Sequence, residues 1–503
     1  MLFNNINIIK SMTSINNKFH EFLLRYPELT INSVSKLYPL TVTDLDRYHT
    51  SLNWFYVSEN QQIEWNDEII DKYKNYINWG GLSLNPKIPF TFELIKKFEQ
   101  YWHFSGDPYK GLISNSSMPW SAALLTEYKD KWNWSVLSSS QILPWSKDLI
   151  AQFKDFWSWH SICSNVHIPW DGSFLDEFND YINWNHLCRN SSFPWTYELI
   201  EKFKNYINWF ALSGNKSFPW TKNFVFKLID ANNYDILQQL CKNPSLPWDN
   251  ELVDFFIKEI LNSKSGRLDY YFEALSTNTS LPWTVELIEK YKSFWSWGRL
   301  GLSGNSSLPW SISFIDTFKD KWSWSALSQY NSSIPFTIDL IDYFNDYWDW
   351  SIEGLATNPY LPWSMELVDK FADKFEWRKR FVSYNICDNL EIPWTVEHIE
   401  KYKKQINFSS ISSNEKLIWN REFVNKYKKK LRWNFAWKQG LGSNPSVPWS
   451  IEFVLEFESF LDIDHYISDY NMLVHKVVLP FIKENGIKEL LNISELNNRI
   501  VDE

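Results

Sequence analysis

Two groups of side chains in this sequence are of types that do chemistry. The first is His160, Cys163, His167, His186 and Cys188. Imidazole and thiolate are the ligands that zinc takes. Their spacing matches no paired-ligand interval of a structural zinc site, and Cys163 and Cys188 stand where serine is usual elsewhere in the chain. Equivalent positions in neighbouring repeats lie too far apart for a disulfide. The sequence therefore predicts small thiols in place of buried serines, and no metal. The second group is cationic. Between Lys401 and Lys438 there are eleven basic residues and two acids, Glu415 and Glu422, a net charge of +9 against −19 for the rest of the chain. Lys401, Lys403, Lys404, Lys426, Lys428, Lys429, Lys430 and Arg432 are the candidate binding residues. They suit an anion such as a nucleic-acid backbone, an acidic protein or an anionic lipid headgroup. The plainer reading is a solvated face.

Beyond these groups the catalytic vocabulary is missing. The sequence has no P-loop, no HExxH, no GxSxG and no dinucleotide glycine fingerprint. Carboxylate pairs such as Glu198 and Glu201 fall on a charged helix face and read as solvated. The expectation is a non-catalytic protein with no cofactor.

The elements that must position these groups follow from a repeat. The residue after a recurring proline falls at Leu40, Trp65, Phe90, Trp120, Trp145, Trp170, Trp195, Trp220, Trp248, Trp283, Trp310, Phe336, Trp363, Trp394, Trp419 and Trp449. The commonest interval is 25 residues, and the longer intervals carry insertions. Such self-similarity marks a stacked array. With the aligned residue as position zero, +1 is Thr, Ser, Asp or Asn, the residues that cap helix N-termini. Apolar residues follow at +4, +5, +8 and +12, as in Leu199, Ile200, Phe203 and Ile207, which is one helical face. The pattern predicts a first helix from about +2 to +12, with the aromatic at zero stapled to +5. Asn, Ser or Asp at +13 then caps a short second helix that starts at +14.

Thirty of the 31 tryptophans obey this frame: thirteen at zero, eleven at +14 and six at +12. A unit of 25 residues is too small to bury a face alone. Each indole covers about 150–250 Å², so the rings are expected to be buried between layers rather than open as a stacking platform.

At 503 residues and net charge −10, the chain exceeds one compact core and is no general nucleic-acid coat. Four cysteines make no disulfide framework. No signal peptide and no membrane span are read, so the expected location is cytoplasmic. Extra residues enter the units opening at Phe90, Trp248, Trp363 and Trp419, which is where a binding edge or tolerant loop tips would lie.

As an architecture the repeat resembles the α-solenoids, the class of the tetratricopeptide and HEAT arrays, with a shorter period and without the Trp-x2-Leu-Gly pattern of the former. The expected fold is all-α, a right-handed-type α-solenoid of about sixteen helix-pair repeats over residues 40–465. An N-terminal cap at 1–39 and a helical C-terminal cap at 466–503 would close its ends. The expected function is a scaffold that binds a protein partner along an extended surface. The alternative is binding of nucleic acid or another polyanion through 401–438.

Overall fold

A computed structural model of the chain describes residues 17–104, 111–230, 236–263, 268–329, 331–377, 386–433, 440–461 and 471–487. Most of the inserted residues lie outside these segments. Among the described residues every regular element is helical, so the protein is all-α.

The caps form as their sequence dictates. Side-chain oxygens of Thr91, Ser146, Asp171, Thr196, Thr284 and Asn420 accept from the backbone N–H three residues on. Each satisfies one of the donors that a helix N-terminus leaves without a partner. Asn78, Asn133, Asn183 and Asn208 do the same for second helices, which run for example over Trp79–Leu84 and Trp184–Arg189.

The first helix is shorter than its apolar pattern implies. Tyr197–Phe203 and Asp67–Tyr73 end at +8, and a turn follows in which the +11 N–H bonds the +8 carbonyl, as Tyr206 does to Phe203 at 2.8 Å. Where tryptophan is present it takes up carbonyls near this end. The +12 indoles of Trp157, Trp295, Trp322 and Trp348 donate Nε1–H to the carbonyl at +5, whereas those of Trp102 and Trp132 are buried without a hydrogen-bond partner among the described residues. The +14 indole donates to the carbonyl at +9, as Trp159 does to Lys154 and Trp324 to Lys319. Carbonyls that a longer helix would have used are therefore satisfied by ring nitrogens. Phenylalanine could fill the space but not make the bond.

Most indoles at zero behave likewise, although those of Trp120, Trp195 and Trp394 are without a hydrogen-bond partner among the described residues. Trp65, Trp170, Trp220, Trp283 and Trp419 each donate to the carbonyl five residues earlier. Their contacts with other rings run to +12 or +4: Trp145 meets Trp157 at 5.2 Å, and Trp170 meets Phe174 at 5.1 Å.

Successive units are tied by two ladders. The first is made of asparagine, present five residues before zero in fourteen of the sixteen units. Asn215 is typical. Its Nδ2 donates to the carbonyls of Cys188 and Asn190 in the preceding unit, and its Oδ1 accepts from Ser217 N–H. Asn85, Asn190, Asn243 and Asn444 repeat the pattern. The second ladder is made of serine two residues earlier. Ser58 Oγ donates to Trp54 O and accepts from Asn78 N–H of the next unit. Ser138 and Ser412 act the same way.

Ring packing completes the junctions. The +14 indole of one unit lies against the +8 and +11 rings of the next: Trp79 against Phe98 and Tyr101, Trp159 against Phe178 and Tyr181. The +12 tryptophans are buried, whereas most +14 indoles are half-buried. The expectation of rings buried rather than open to solvent holds fully at +12 and in part at +14, where no indole is exposed.

The chain divides into two compact units. One comprises residues 1–132, 363–368 and 377–503, the other 133–362 and 369–376. No helix among the described residues is long and apolar enough to cross a membrane.

Candidate functional site

The cationic residues lie in the last turn of, or just after, Val396–Lys401 and Arg421–Tyr427, the first helices of two neighbouring units. All are exposed except Lys428, which is half-buried. Their surroundings divide them. Lys426 pairs with Glu400, and the Tyr427 hydroxyl donates to the same carboxylate. The Lys426 ammonium, then the Tyr427 hydroxyl, hold Glu400 below the usual carboxylate range. Burial and then Glu400 push Tyr427 up to about 12.

This pair is no local peculiarity. An acid at +6 meets a lysine at +7 of the following unit at Asp46–Lys72, Asp176–Lys202, Asp254–Lys290 and Asp342–Lys370 as well. Lys426 thus belongs to a recurring surface ladder, in which each exposed pair is worth about 0–1 kcal/mol. Lys416 and Arg421, nearby, pair with Glu391 and Glu456.

The other candidates are arranged differently. Lys401 lies 5.0 Å from the centre of the Tyr402 ring, and Lys430 lies 5.0 Å from that of Phe408 and 6.0 Å from that of Tyr427. Lys428 donates to Asn425 Oδ1 and lies over Phe460. Arg432 donates its backbone N–H to Ser412 Oγ. Among the described residues, Lys403, Lys404, Lys428, Lys429 and Lys430 make no ion pair. Part of the basic run is neutralised by Glu391, Glu400 and Glu456, acids that lie outside the segment in sequence.

The Cys/His group separates. Cys163 and Cys188 are fully buried in the positions of the serine ladder. Cys163 Sγ accepts from Asn183 N–H at 3.3 Å, as a serine oxygen does elsewhere. Burial pushes its thiol up to about 12, and that of Cys188 to about 11, so neither is a ready thiolate. No cluster of three or more metal-ligating side chains exists among the described residues.

The histidines form a pair of their own. The His160 and His186 rings lie 3.6 Å apart, and His186 Nδ1 shares a 3.0 Å hydrogen bond with Ser164 Oγ. His160, Ser164 and His167 line an open polar depression.

His186 is held below its ordinary pKa by burial first, then by His160 and Arg189. A base with a depressed folded pKa takes up its proton more readily in the unfolded chain. Its contribution to stability is complete above the ordinary value of 6.5 and is lost as the pH falls toward the folded value. In an NMR titration His186 should protonate at higher pH in His160→Ala than in the wild type. An unchanged midpoint would show that His160 adds nothing to the effect of burial.

One surface feature escaped the sequence reading. Position +11 is aromatic in Tyr76, Tyr101, Phe156, Tyr181, Tyr206, Phe294 and Tyr347, and none of these side chains is buried. Each of the first five packs on the +14 tryptophan of the unit before it. Three consecutive pairs form a row: Trp134–Phe156 at 5.0 Å, Trp159–Tyr181 at 5.1 Å and Trp184–Tyr206 at 5.4 Å. Phe156 is 43% exposed and Tyr206 52%. The signal was in the sequence, as an aromatic one residue before the buried +12 position. Only the early end of the first helix turns it outward.

Comparison with family models, with curated proteins and with solved structures finds no match for the chain.

Proposed function

We propose that this chain is a non-catalytic, cytoplasmic α-solenoid scaffold that docks a protein partner along the row of half-exposed aromatics. The observation that carries the reading is the run of Trp134–Phe156, Trp159–Tyr181 and Trp184–Tyr206 pairs. Large rings held rigidly at a surface offer contact area at little cost in side-chain entropy, and aromatic anchors dominate the energetics of protein interfaces. Stacking as a solenoid is supported by the ladder bonds that join unit to unit. Polyanion binding is the second reading, favoured by Lys403, Lys404, Lys428, Lys429 and Lys430 outside any described ion pair. It is weakened by the engagement of Lys426 with Glu400.

Quantitative affinity capture decides between them, using the wild type, a Phe156→Ser/Tyr181→Ser/Tyr206→Ser variant and a Lys426→Glu/Lys428→Glu/Lys429→Glu variant, each checked for wild-type circular dichroism. The docking reading expects a partner whose recovery drops by about 1,000-fold with the aromatic variant, the effect of losing three anchors of about 1.4 kcal/mol each. The same partner is retained by the lysine variant. Equal recovery with all three proteins overturns the docking row. Binding of a single-stranded oligonucleotide that falls steeply with salt and vanishes in the lysine variant supports the second reading instead.

A further inference from the structure

The first and last described segments meet, within the compact unit that contains both. Residues 17–25 are helical and lead into Pro27–Leu37. Near the other terminus a π-helical turn, Val474–Val478, runs into Leu479–Asn485. Pro27–Leu37 packs against both of these elements. The Phe19 ring meets the Phe481 ring edge-on at 4.9 Å, and Phe19, Phe22, Val474, Val478 and Ile482 are fully buried. Beside this apolar seam Arg25 grips Glu458, 433 residues away: Nη2 donates to both carboxylate oxygens at 2.7 and 2.8 Å, and Nε donates at 3.1 Å. Arrays usually protect their ends with units that have polar outer faces. Here each end is apolar and covered by the other.

We propose that these segments form an exchangeable clasp whose second occupant is another copy of this chain: residues 17–37 of one copy seat on Glu458 and residues 471–482 of its partner, reciprocally. The surfaces are already complementary, because the chain's own terminus occupies them. Exchange between copies alters which chain supplies each half and leaves every contact of the joint in place. The intact chain favours the internal joint through its high effective concentration. A copy whose own joint is mismatched is left with two unsatisfied surfaces.

Charge reversal tests both halves of the proposal. Arg25→Glu and Glu458→Arg each place like charges across the joint, and amide exchange in residues 27–37 should accelerate about tenfold in either. Both substitutions in one chain restore the pairing with its sign inverted and should return the wild-type exchange rate. This double variant also keeps the test decisive should a single one fold poorly. Mixed in equal amounts, the two single variants form a dimer with two joints. One joint sets the two introduced side chains against each other, and the other sets the native Arg25 against the native Glu458, so both are complementary in charge. Light scattering should then report at least tenfold more dimer than either variant gives alone. Unchanged exchange in the single variants, or no recovery in the double variant, overturns the clasp. A mixture that stays monomeric overturns the exchange between copies.

Discussion

Replacing Asn215 with leucine should destabilise the fold by about 3–5 kcal/mol, the largest effect expected of a change that preserves side-chain branching. The wild-type amide satisfies two buried carbonyls, those of Cys188 and Asn190, and the half-buried N–H of Ser217. Leucine keeps the branching and heavy-atom count of the side chain, is bulkier, and leaves all three without a partner. Two of these groups belong to the preceding unit, so the damage crosses the junction. Guanidinium denaturation should show a lower midpoint, and amide exchange should rise on both sides of Asn215. Aspartate at this position should be harmful for a different reason, because a buried carboxylate would face two carbonyl oxygens. That variant should regain stability as the pH falls toward the range in which the acid is neutral. A midpoint within about 0.5 kcal/mol of a surface change such as Lys216→Ala would show that the ladder is decorative.

Trp157→Ala should cost a similar amount, about 3–5 kcal/mol, and Trp157→Phe should divide that cost into its parts. The indole is 5% exposed, touches Trp134 at 4.8 Å and Trp145 at 5.2 Å, and donates to Ile150 O. Phenylalanine retains most of the packing and loses the bond, which leaves a buried carbonyl bare. It should therefore cost about 1–3 kcal/mol on its own. Equal stability of the phenylalanine variant and the wild type would remove hydrogen bonding as the reason for tryptophan at +12.

Both predictions rest on groups that the sequence displayed without explaining. Asparagine five residues before zero is as regular as the tryptophans, yet on its face it is a turn residue. Its partners lie 25 and 27 residues earlier in the chain, and nothing local to Asn215 shows that they are near. Cys163 was legible as a serine substitute because its repeat position named its neighbours in kind, and the structure supplies the bond to Asn183. Lys426 shows the opposite. In sequence it stands in a basic run, and only stacking brings Glu400 against it.

The sequence by itself determined the helical class, the repeat frame, the caps and the side of each helix that is buried. These depend on side-chain preferences within a few residues of one another, and a repeated unit states them many times over. Tertiary structure alone decided where the first helix stops, which rings reach the surface, which cations are neutralised and that Phe19 and Arg25 meet Phe481 and Glu458. Each of these is a contact between parts of the chain far apart in sequence. Such contacts depend on how layers come to rest on one another, a geometry that composition and spacing within one unit do not encode.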